Sequence, residues 1–155
     1  MLEDGDAAPA FNLATDSGAA ARLSGLKGRW VVLYFYPKDD TSGCTAEAKD
    51  FTALASEFEA SGATVIGVSP DSVESKAKFR KKHDLGIALA ADPDKTAAEA
   101  YGVWIEKSMY GRKYMGVDRS TFLIDKRGRI ARSWRKVKVL GHVAEVLAVL
   151  KQLNA

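Results

Sequence analysis

Cysteine is nearly absent from this chain, with a single copy, Cys44, in 155 residues. One thiol forms no intramolecular disulfide, which excludes a bridge-held secreted scaffold and leaves a C-x-x-C exchange centre without its second residue. No apolar run approaches the roughly 20 residues a membrane-spanning helix requires. The amino-terminal MLEDGDAAPAF has neither the basic nor the apolar segment of a secretory signal, so the expected compartment is the cytoplasm. The only histidines, His83 and His142, lie far apart with no second ligand at metal spacing, and no metal is expected. A glycine-rich phosphate loop, a Ser-His-Asp arrangement, a paired-carboxylate motif, repeats and low-complexity tracts are also missing, and no cofactor is expected.

The composition that remains, 46% hydrophobic and 28% charged, is that of a globular chain. At this length one domain spanning 1–155 buries roughly two thirds of the surface its unfolded form exposes. The net charge of +3 requires no acidic partner. Positive charge is concentrated from Lys126 to Lys138, but without a helix-turn-helix, a zinc site or interleaved stacking aromatics this run reads as a solvated hairpin. Neither nucleic acid nor membrane is expected as a partner.

Periodicity supplies the elements. Phe11–Ala14 and Ala19–Leu23 flank a polar turn and read as an amino-terminal hairpin. Trp30–Tyr36 is a buried strand cut off by Pro37, and Thr64–Ser69 a second, closed by Pro70. Apolar residues at helical spacing predict one long helix over Thr45–Glu59. A second helix is capped by Asp71 or Ser72, stopped by Gly86, and given an exposed Lys- and Arg-rich face. Ile87–Ala91 is a further strand and Lys95–Tyr101 a short helix, while Trp104–Val117 reads as a loop or irregular hairpin. Ser120–Asp125 and Ile130–Trp134 flank a glycine turn, and Val143–Leu153 is an amphipathic closing helix. This order predicts an α/β thioredoxin-like fold: a mixed central sheet flanked by helices, with an amino-terminal hairpin.

Cys44 stands where a loop enters a helix, and unpartnered N–H groups with the positive end of the macrodipole favour a thiolate there. Pro37, Thr41 and Cys44 are spaced P-x-x-x-T-x-x-C. Pro37 ends the strand, so that the loop turns back over the thiol. Thr41 offers a hydroxyl that both donates and accepts, and Gly43 permits close approach of backbone. These are the groups with which a thiolate attacks one oxygen of a peroxide while hydrogen bonds stabilise charge on the other. Arg119, just before the strand at Ser120, is the candidate fixed cation at the same end of the sheet.

At FYPKDDTSGCTAEA, at DRSTFLIDKRG and at VKVLGHV the chain resembles the peroxiredoxins, and most closely the bacterioferritin-comigratory or PrxQ group. The resemblance covers nearly the whole chain in the same order. It implies a thiol-dependent peroxidase acting on hydrogen peroxide and organic hydroperoxides, with Cys44 as nucleophile and Thr41, Pro37 and Arg119 as the matching site residues. It further implies that Glu47 orients the arginine and that Tyr36 lines the pocket beside Gly43. Ser42 departs from the proline many members carry. Members that resolve internally hold a second cysteine where this chain has Lys49, or about where it has Arg80. An oxidised Cys44 therefore requires an external thiol reductant: thioredoxin, glutaredoxin or glutathione. A monomer or weak homodimer is implied. From a different class, a redox-sensing or chaperone-like binding protein switched by Cys44 oxidation is the alternative.

Overall fold

The computed structural model describes residues 1–155. Strands β1 (Asn12–Ala14) and β2 (Ala20–Arg22) form the amino-terminal antiparallel hairpin, and a 3-10 turn follows at Leu23–Leu26. Next come β3 (Trp30–Phe35), α1 (Ser42–Ala53), α2 (Ala55–Ala60), β4 (Ala63–Ser69) and α3 (Val73–His83). The chain continues through β5 (Ala88–Ala91), α4 (Thr96–Ala100), β6 (Trp104–Met109), β7 (Arg112–Val117), β8 (Ser120–Ile124), β9 (Ile130–Trp134) and α5 (His142–Leu153). The central sheet has the order β5-β4-β3-β8-β9: β3, β4 and β5 are parallel, whereas β8 runs antiparallel to β3 and to β9. The mixed sheet expected from sequence is thus present.

Every residue of β3 is buried, because both faces of the sheet are covered. Its alternate residues Trp30, Val32 and Tyr34 enter one core with Phe51, Phe58, Phe79 and Val146 from the helices α1, α2, α3 and α5. Val31, Leu33 and Phe35 enter a second core on the opposite face with Leu13 of the hairpin, Ala97 of α4 and Tyr101. The strand period of two assigns these sides.

Four local expectations are corrected. The helix expected over Thr45–Glu59 begins at Ser42 and is interrupted at Leu54, whose φ of −103° and ψ of 9° break the helical path. The segment Trp104–Val117 is a regular hairpin, because Tyr110 and Gly111 both take positive φ, 52° and 77°, as a two-residue turn between twisted strands requires. Helix α3 ends at Asp84, which is left-handed at φ 53°, two residues before Gly86. Its basic face is not wholly solvated, since Lys76 is 0% exposed.

Gly67 of β4 pairs with Tyr34 of β3, and a Cβ at Gly67 would lie 2.6 Å from the hydroxyl end of that tyrosine. Tyr34 has no room to retreat, for its ring stacks on Phe51 at 4.5 Å and on Tyr36 at 5.5 Å. Gly67→Ala is therefore expected to destabilise the fold by about 1–3 kcal/mol, read from the denaturant midpoint at constant m-value. An unchanged midpoint would show that the aromatic stack is not rigid.

Candidate active site

The site is built where the carboxyl end of β3 meets the amino end of β8. Antiparallel register sets Phe35 opposite Ser120, so Arg119 reaches the sheet edge at the level where the chain leaves β3 for Pro37. The backbone carbonyl of Arg119 accepts from the N–H of Val137 at 3.0 Å, which ties it to the segment after β9. A residue 75 positions from Cys44 is thereby delivered to it: Arg119 Nη2 donates to Cys44 Sγ at 3.2 Å.

Helix α1 presents the thiol. Thr41 is the N-cap, extended at φ −88° and ψ 159°, and its carbonyl accepts from the N–H of Thr45 at 2.8 Å. Cys44 lies in the first turn, where backbone N–H groups lack intrahelical acceptors, and is 1% exposed. The Thr41 side chain does not cap the helix; its Oγ1 donates to the Lys38 carbonyl at 2.9 Å, closing the loop over residues 38–41. At Gly43 an added Cβ would stand 3.2 Å from Arg119 Nη2, so a residue without a side chain leaves the guanidinium room beside the sulfur.

The other arm of the guanidinium is held from α1. Arg119 Nη1 donates to Glu47 Oε1 at 2.6 Å, one helical turn beyond Cys44, and Glu47 is fully buried. Burial pushes the Glu47 carboxyl up from 4.5 to about 7, with the Arg119 charge and hydrogen bond pulling the other way. Glu47 Oε2 and the Tyr34 hydroxyl are both buried without a hydrogen-bond partner. Burial alone would lower Arg119, but the charges and hydrogen bonds of Glu47 and Cys44 together outweigh it and raise its pKa, so the guanidinium is a fixed cation.

Pro37 is half-buried at the bend that follows β3. Tyr36 is buried in the same apolar cluster as Cys44, while its hydroxyl donates to Asp39 Oδ1 at 2.5 Å. Of the two positions at which internally resolving members carry a second thiol, Lys49 is exposed and Arg80 is engaged elsewhere, with Nε 2.5 Å and Nη2 3.0 Å from the Asp16 carboxylate. His83 is bonded to Asp40 at 2.7 Å and His142 to Thr121 at 2.8 Å. Sequence reading passed over Asp39, within the loop, and Lys76, buried on α3. The available signal was that Lys76 shares the helical stripe of Phe79 and His83, the side of α3 that faces inward.

The pattern of the AhpC/TSA family matches residues 5–133. Peroxiredoxin Bcp of Bacillus subtilis (strain 168) is 50% identical over 153 residues, 99% of this chain and 98% of that protein. The putative peroxiredoxin bcp of Coxiella burnetii is 49% identical over 149 residues, 96% of this chain and 99% of that protein. Among solved structures, a cysteine-to-serine mutant of Xylella fastidiosa PrxQ is similar at a TM-score of 0.94 and 40% identity, covering 100% of this chain and 99% of that one. The bacterioferritin comigratory protein of Xanthomonas campestris, described through its alkyl peroxide reduction activity, is similar at 0.90 and 43% identity, covering 94% and 92%. Identity of this degree along whole chains, on one shared fold, decides the assignment: the chain belongs to the AhpC/TSA family, as a one-cysteine peroxiredoxin of the Bcp/PrxQ group and hence a thiol-dependent peroxidase.

Proposed function

We propose that Cys44 is the residue that attacks the peroxide, and that the enzyme reduces hydrogen peroxide and organic hydroperoxides. The observation that carries this reading is the 3.2 Å contact from the Arg119 guanidinium to the sulfur in the first turn of α1. The sulfur lone pair attacks the terminal peroxide oxygen, the O–O bond breaks, and the alkoxide or hydroxide leaves with the bonding pair and takes up a proton. Charge on the departing oxygen is stabilised by Arg119 and the α1 N–H groups, and the Thr41 hydroxyl orients the peroxide. Gly43 and Tyr36 shape the space around the sulfur, Pro37 turns the loop over it, and Glu47 fixes the plane of the guanidinium.

The product is a Cys44 sulfenic acid. Since the chain holds no other cysteine, an external thiol condenses with it, releasing water and leaving a mixed disulfide. A second external thiol then displaces the Cys44 thiolate and carries both oxidising equivalents away as a disulfide. Glutathione, thioredoxin and glutaredoxin have this chemistry, and the cytoplasm is the compartment that supplies it. The working unit in this reading is one thioredoxin-like domain, monomeric or weakly dimeric, that needs neither nucleic acid nor membrane. No helix of the chain is long and apolar enough to cross a membrane.

Cys44→Ser is expected to abolish peroxide turnover with the fold intact by circular dichroism; retained turnover refutes the assignment. In the parent chain, dimedone added after one equivalent of peroxide is expected to label Cys44, as read by peptide mass, and an unmodified thiol would contradict the sulfenic step. Arg119→Met is expected to lower the second-order rate of Cys44 oxidation by about 100-fold or more; a rate within a few-fold of the parent would remove Arg119 from the chemistry.

Glu47 adds a pH dependence to stability. With its folded pKa raised to about 7, the folded state binds this proton more tightly than the unfolded chain does. Its contribution therefore becomes steadily less favourable as pH rises from 4.5 to about 7 and is constant outside that window. Glu47→Gln removes the titration, and its stability is expected to rise relative to the parent by on the order of 3 kcal/mol across the window. Denaturant melts at several pH values give both curves; parallel curves would show that Glu47 does not titrate there.

A further inference from the structure

Lys76 is a charged side chain with no access to solvent, on α3 and not on α1, the helix that carries Cys44 and Glu47. Its ammonium donates to the Tyr36 hydroxyl at 2.9 Å, to Asp39 Oδ1 at 2.9 Å and to Ser69 Oγ, which uses all of its donors. It also lies 4.7 Å from the centre of the Tyr36 ring. Ser69 Oγ in turn donates to Asp71 Oδ2 at 2.6 Å, and the same oxygen accepts from the backbone N–H of Asp39 at 2.8 Å. Ser75 Oγ donates to the other Asp39 oxygen at 2.7 Å. Asp39 is thus gripped by both side chain and backbone, in a closed ring of hydrogen bonds centred on one ammonium.

A buried ion pair is seldom kept for stability, because removing two charges from water costs about as much as their attraction returns. What this one does contribute is geometry. Asp39 lies in the loop that carries Thr41, and the Thr41 hydroxyl is bonded to the carbonyl of Lys38, the residue before Asp39. The next residue, Asp40, holds a left-handed φ of 62°, costly for a residue with a side chain, and its carboxylate is bonded to Lys82 and His83 at 2.7 Å each. Helix α3 therefore grips both acidic residues of the loop, and only the Asp39 grip is buried.

We infer that Lys76 is a positioning residue for peroxide reduction: through the Asp39 carboxylate it fixes the loop that presents Thr41 at Cys44. The inference rests on the role given to Thr41 above. Lys76 touches neither sulfur nor peroxide. Its removal leaves the thiol in place and displaces the hydroxyl that orients the substrate, so oxidation by peroxide is impaired and reactions that do not use Thr41 are spared.

The experiment compares two reactions of Cys44 in the full chain: oxidation by hydrogen peroxide in stopped flow, and alkylation by iodoacetamide. In Lys76→Met the peroxide rate constant is expected to fall roughly tenfold or more while the alkylation rate stays within about threefold of the parent. The Asp39→Asn/Lys76→Met pair leaves no unpartnered buried charge, is expected to show the same split, and carries the test if the single variant does not fold. Equal loss of both reactions, or a peroxide rate within about twofold of the parent in the double variant, overturns the inference. The parent chain is run first: failure of its own Cys44 to react with peroxide would refute the peroxidase role of Cys44 itself, a result separate from any comparison of variants.

Discussion

The fork of Arg119 is the interaction on which the site depends. One arm meets the sulfur of Cys44 at 3.2 Å and the other the carboxylate of Glu47 at 2.6 Å, so a single planar cation joins two residues of the first turns of α1 to the start of β8. Planarity matters because both partners lie on the same helix, one turn apart, and a point charge on a flexible stem would not hold both in fixed register. The sheet supplies the other requirement. Only the antiparallel pairing of β3 and β8 sets Arg119 beside the end of β3, and only the bend at Pro37 brings α1 back over that end.

Much of this was legible in the sequence. The strand Trp30–Phe35, the proline after it, the threonine and the cysteine form one local stretch, and local stretches are read from periodicity and turn chemistry. Arg119 was nameable as a cation before a strand, but its contact with Cys44 follows from register between β3 and β8, which spacing does not reveal. The break at Leu54 and the left-handed Asp84 escaped because each is one residue's departure from a pattern that otherwise continues. Lys76 escaped for a different reason: a lysine on a helix rich in Lys and Arg reads as solvated, and only the convergence of Tyr36, Asp39 and Ser69 makes its burial tolerable.

Two polar networks flank the stretch from Pro37 to Glu47, and they differ in kind. Around Arg119 one carboxylate oxygen, Glu47 Oε2, is buried without a hydrogen-bond partner. Around Lys76 every donor of the ammonium is matched, the character of a brace. The Cys44 thiol is thus set between a network with an open acceptor and one with every ammonium donor matched, and both are anchored in the sheet through β3 and β8 or β4.

The solitary thiol also has a consequence for kinetics in the cell. With no second cysteine, nothing inside the molecule limits how long the oxidised state lasts; its lifetime is set by the supply of outside thiol. The fraction of molecules oxidised at steady state then follows the ratio of peroxide arrival to thiol arrival, and not the level of either alone. In the proposed cycle, both the turnover of peroxide and the redox state of the molecule are set at one sulfur atom.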